Sequence, residues 1–125
     1  MRPILRCAAG LLMTLLPFMH AHAGALDTCT QKDAQPSAVR SCVEGERNRA
    51  ANLLREANQS TLSAVNQKVR SAGHRSDLRS FRLSQSHHVR ARAAQCSKVA
   101  GELDRIGCEA DADFAQIVRL QKMAE

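Results

Sequence analysis

The residues with the greatest chemical reach lie in one run. Phe81, Gln85, His88, Arg92 and Cys96 recur at spacings of four, three, four and four, which places them on one face of a helix. Gln85 and Arg92 thus fall on a stripe that should face a core. A buried amide or guanidinium must find partners, and such groups normally pair within the fold. A hydrogen-bond network between helices therefore outweighs a ligand-binding role for Arg92.

His87 and His88 raise the possibility of a metal, with His74 as a third ligand. Adjacent residues on a helix diverge by about 100°, so only one of the pair can face a given point. No histidine occurs four residues from either, and a metal needs convergent ligands. The three are expected to be ordinary surface histidines, and no cofactor is expected. Nucleophile and phosphate-loop signatures are missing too: the chain has no His-Glu-x-x-His, Gly-x-Ser-x-Gly or Gly-rich phosphate loop. Its acids gather as Glu44 with Glu46, and as Asp104, Glu109, Asp111 and Asp113. These read as charges near helix ends rather than a catalytic carboxylate pair, so no enzyme is expected.

Cysteine is the other reactive type. Cys7 lies in the opening segment, and Cys29, Cys42, Cys96 and Cys108 follow at gaps of 13, 54 and 12. Structural zinc sites pair cysteines two to four residues apart, so two disulfides are the better use of these four. Each bridge contributes about 2–4 kcal/mol, large against a net stability of about 5–15 kcal/mol.

That use requires an oxidising compartment, and the N-terminus supplies a route to one. Arg2 to Arg6 form a short basic region, Ala8 to Met19 are mostly apolar, and Ala21-His22-Ala23 has the Ala-x-Ala form of a cleavage site. A dozen apolar residues fall short of the roughly 20 that span a bilayer, so a signal peptide over 1–23 is expected rather than an anchor. Cys7 precedes the apolar stretch, whereas a lipidated cysteine follows it. The expected location is periplasmic or secreted.

Removing 23 of the 125 residues leaves 102, enough for one domain over 24–125. Two of the 18 basic residues go as well, leaving 16 against 12 acids and a net charge of +4. Phe81 and Phe114 are the aromatic residues left. A core this thin in large rings needs fastening, which the bridges provide.

The elements that position these groups read as helices, because no segment alternates as a strand does. Gly24 to Pro36 is polar and lacks periodicity, so an extended lead-in tied down by Cys29 is expected. Ser37 is a candidate N-cap for a first helix from Ala38 to about Ala72. Its stripe is Ala50, Leu54, Ala57, Thr61, Val65 and Val69, broadened by Leu53 and Leu62, with Gly45 a point of fraying or bending. Gly73 suits a helix end, and Ser76 a cap for the next helix. That second helix carries Leu78, Phe81, Gln85, His88, Val89, Arg92, Cys96, Val99 and Leu103, with Gly107 as its stop. A shorter third helix holds Phe114, Ile117, Val118 and Leu120, with Asp111 and Asp113 near its start. The expected architecture is all-α: an antiparallel hairpin with a third helix, stapled by disulfides. The hairpin brings Cys42 near Cys96, leaving Cys29 for Cys108. Sequential pairing, Cys29 with Cys42 and Cys96 with Cys108, closes short loops easily and stands beside it.

The run Phe81-x-x-Ser84-Gln85-x-x-His88-x-x-x-Arg92-x-x-x-Cys96 resembles the core motif of the LprI-like family of bacterial envelope proteins. That motif is a small residue and Gln, then Trp, then Arg-Asp, then Cys. The likeness runs from Cys29 to about Leu120, with two cysteines before the first helix's leucines, one closing the motif and one after it. Here His88 replaces the family's Trp, Ala91 the aromatic before its Arg, and Ala93 its Asp. The family is named for inhibition of lysozyme, so the resemblance implies an exported protein that binds and blocks a lysozyme-like glycan hydrolase. A +4 chain meets like charge at a basic lysozyme, so the contact would fall to an acidic surface such as Asp104, Glu109, Asp111 and Asp113.

The remaining charge supports a different class of partner. Arg75, Arg79, Arg82 and Arg90 form the most basic patch, suited to an anionic envelope polymer or lipid headgroups in a structural or stress-related module. Nucleic acid is not expected, because arginines alternate with acids in the first helix and stacking aromatics are missing.

Overall fold

The computed structural model describes residues 24–125, so the signal peptide expected over 1–23 lies outside the described residues. Four helices follow in order: α1 (Ala25–Lys32), α2 (Pro36–Ala72), α3 (Arg75–Cys96) and α4 (Glu102–Ala124). Among the described residues there is no strand, and no helix is long and apolar enough to cross a membrane.

Local sequence explains most helix ends. Pro36, not Ser37, opens α2, because its fixed φ suits a first helical position and its missing N–H is not needed there. Gly73 ends α2 in the left-handed region at φ 71°, and its N–H closes on Val69 O at 3.0 Å. Ser76 does not cap α3 but lies within its first turn, with His74 at the cap position. α4 begins after Gly101 and places Glu102 and Asp104 in its first turn and Lys122 in its last, each sign suiting the helix dipole. Gly45 passes through α2 without ending it.

Four further sequence expectations change. The lead-in is a helix: α1 is too short to show a period, and its stability is tertiary. α3 stops at Cys96, so Val99 lies in the connection and Leu103 belongs to α4. Gly107 is therefore not a stop but a notch inside α4. A Cβ there would stand 3.2 Å from Leu26 Cβ, so glycine lets α1 press against α4. α4 begins at Glu102 instead of near Asp111 and has 23 residues against 37 in α2.

The chain runs up, down and up. α2 and α3 form the antiparallel hairpin, and α4 returns parallel to α2, from the Arg40–Glu102 pair to Thr61 Oγ1, which donates to Leu120 O at 3.1 Å. α1 packs on α2 and α4 at the lower end and does not reach α3.

The core is three small clusters. Cys29, Val39, Val43 and Ile106 form the lowest; Ala25, Ala50 and Ala110, with Phe114 beside them, form a narrow waist; Val65, Phe81 and Leu120 form the upper one. Leu54 and Ala57 join the upper cluster as expected, but Leu53 and Leu62 stand at the rim. Val89 and Val118 are exposed as well.

The disulfides pair sequentially. Cys29 bonds Cys42 and Cys96 bonds Cys108, with Cα–Cα distances of 5.7 and 5.6 Å. The Cys42–Cys96 alternative fails because α4 begins early enough to bring Cys108 beside the end of α3. Each bridge therefore ties neighbouring helices, α1 to α2 and α3 to α4.

Candidate functional site

The motif face of α3 lies against α4, and its polar members meet partners there. Ser84 Oγ accepts from Gln116 Nε2 at 2.9 Å. One turn on, His88 Nε2 lies 2.9 Å from Asp113 Oδ1, with both side chains nearly sealed from solvent. An ionised carboxylate can only accept, so the ring nitrogen donates. Arg92 completes the group: its Nε is 3.0 Å from the same Asp113 oxygen and its NH2 nitrogen donates to Glu109 at 3.4 Å. The Nε contact is one of charge, because the N–H is not aligned as a hydrogen bond. Cys96 ends the face in its bridge to Cys108.

Phe81, Ser84, His88, Arg92 and Cys96 thus engage Leu120, Gln116, Asp113, Glu109 and Cys108, one rung after another down an antiparallel seam. Gln85 is the exception. Its Nε2 is buried without a partner, as are Asn58 Oδ1 and Gln116 Oε1. Buried amides of this kind are the usual seats of internal water.

His88 is not a surface residue as expected; it is 6% exposed. It is held because Asp113 stands opposite, a pairing no local pattern announces. His74 and His87 are exposed, and no cluster of three potential metal ligands occurs among the described residues.

The four acids part company. Asp113 is 3% exposed and spent on the seam, and half-buried Glu109 is engaged by Arg92. Asp111 reaches across to α1, where its Oδ1 accepts the Ala25 N–H at 2.9 Å. That N–H is one of the orphan donors of a helix start, so a residue 86 positions away supplies the cap. Asp104 keeps an exposed side chain with no hydrogen-bond or charge partner among the described residues.

Elsewhere charge pairs locally. Arg40 contacts Glu102 at 3.0 Å and Glu44 at 3.6 Å, and its hydrogen bond and charge hold the Glu102 carboxyl below the usual carboxylate range. Arg49 pairs with Glu46 at 2.7 Å and lies over the Phe114 ring at 4.8 Å.

The outer face of α3 is open. A groove of about 470 Å³ lies against the hairpin end, lined by Val69, Arg75, Leu78, Arg79, Arg82 and Leu83. A second, of about 540 Å³, continues past Leu83 along Ser86, His87, Arg90, Ala91 and Ala94. Both are surface troughs. No family model, curated protein or solved structure matches this chain.

Proposed function

We propose that the protein is an exported, non-catalytic binding protein of the LprI-like type, whose partner is a lysozyme-like glycan hydrolase. The observation that carries this reading is the seam between α3 and α4. All the residues resembling the family motif except Gln85 join the two helices, and His88 stands at the Trp position with an aspartate waiting for it on α4. The motif is then a scaffold device, and the scaffold survives the loss of Trp because an imidazole hydrogen-bonded to Asp113 replaces an apolar ring. With its polar groups turned inward, binding falls to the outside of the bundle.

The two disulfides fit a periplasmic or secreted site of action, where such bonds form and persist. A basic hydrolase would meet the lower half, where segments 24–50 and 92–113 carry nine acids against seven basic residues. Asp104 is the exposed acid of the expected set that remains unengaged there. A turbidity assay of lysozyme on bacterial cell walls tests the reading at near-physiological salt. A fall in lytic rate with increasing protein is expected, weakened by Asp104→Asn. An unchanged rate at molar excess overturns it.

A further inference from the structure

The charge of this protein is divided along its length. Segments 51–91 and 114–125, the half containing the hairpin end, hold nine basic against three acidic residues, a balance of +6. The half with the disulfides, counted above, stands at −2. The difference is sharpest on α3. Within α3, Arg92 at the disulfide end faces two carboxylates, whereas Arg75, Arg79, Arg82 and Arg90 enter no salt bridge among the described residues. Arg90 merely takes the Ser86 hydroxyl at 2.6 Å.

These arginines have a common direction. At 3.6 residues per turn, Arg75, Arg79, Arg82 and Arg90 fall within an arc of about 80° on the side away from the seam. Leu83 and Val89 border that arc and are 63% and 66% exposed. Leu78 and Val69 form an apolar floor between the three arginines nearest the hairpin, and Leu83 divides that groove from the next. Uncompensated like charges on one face repel one another, so the arrangement costs stability unless an anionic partner offsets it.

The geometry points to a membrane surface rich in anionic phospholipid as that partner, with α3 lying along it. Guanidinium groups match phosphates, and the exposed aliphatic side chains reach the boundary between headgroups and acyl chains. A soluble polyanion or an acidic protein would use the arginines but leave Leu83, Val89 and the apolar floor without purpose. The attachment is peripheral, since no described helix is apolar enough to cross a bilayer. It leaves α4, across the seam, on the side away from the surface, and it does not depend on the hydrolase reading, whose assay contains no phospholipid bilayer surface as reagent.

Co-sedimentation of the disulfide-bonded protein with vesicles tests this. Binding to mixed phosphatidylglycerol and phosphatidylcholine is expected, with little to phosphatidylcholine alone. The variant Arg75→Gln/Arg79→Gln/Arg82→Gln is expected to bind about a hundredfold more weakly. Leu83→Ser is expected to weaken binding roughly tenfold through lost apolar contact. All four positions are exposed, and far-UV circular dichroism checks that the helices persist. Equal binding to both vesicle types, or full binding by the triple variant, overturns the proposal. Unaltered binding of Leu83→Ser, with inorganic polyphosphate displacing the protein from vesicles, reassigns the face to soluble polyanions and overturns it equally.

Discussion

His88 and Asp113 sit 25 residues apart in sequence and 2.9 Å apart in space, buried between α3 and α4 with Arg92 at the edge. One carboxylate serves two cationic or donor groups, so its loss strands His88 and leaves Arg92 with Glu109 alone. Asp113→Ala is expected to destabilise the fold by about 3 kcal/mol, the scale for breaking a buried charged pair from one side. His88→Ala leaves Asp113 its arginine and should cost less. A double-mutant cycle on urea midpoints measures the coupling, and additive costs would show that the contact contributes nothing.

The two bridges should each act on one pair of helices. Peptide mapping without reduction is expected to recover Cys29 linked to Cys42 and Cys96 linked to Cys108. Removing either bridge by paired Cys→Ala substitution is expected to cost about 3 kcal/mol, the loop-closure value for loops of this size. Amide exchange distinguishes them: loss of Cys29–Cys42 should expose α1 first, because α1 is too short to persist alone.

Gly45 and Gly107 are both helical, and their substitutions should differ in sign. Nothing lies within 4 Å of a Cβ built on Gly45, so Gly45→Ala is expected to stabilise by about 1 kcal/mol through helix propensity. At Gly107 the neighbour is Leu26, and Gly107→Val is expected to destabilise by about 1–3 kcal/mol through overpacking. Thermal melts of the two variants give the comparison.

The Arg40–Glu102 pair predicts a small dependence on acid. Arg40 depresses the Glu102 carboxyl, so the pair's contribution is complete above the unfolded carboxyl value, about 4.3. It is lost as the pH falls through the lower folded value. Full exposure to solvent and salt keeps the effect slight. Glu102→Gln is expected to match the parent protein in strong acid and to lag behind it at neutral pH, measured by urea unfolding across the range. A constant gap at every pH would mean that the charge is not what Glu102 contributes.

The sequence by itself determined the helical class, the hairpin joined at Gly73 and the disulfide chemistry of four cysteines. Each is written locally: a period of 3.6, a glycine free to take positive φ, an even count of cysteines without metal spacing. It also marked the face of α3 carrying Phe81, Gln85, Arg92 and Cys96 as one that turns inward, while leaving His88 as a surface histidine. What tertiary structure alone decided were the partners. α1 escapes a periodicity reading because its N-terminal cap is Asp111 from another helix and its packing surface is the notch at Gly107. The disulfide pairing followed from where α4 starts, which Gly107 disguises as a helix end. Asp113 reads as a surface charge until α4 is laid beside α3, because burial of a charge depends on what stands opposite and not on its own neighbours in the chain.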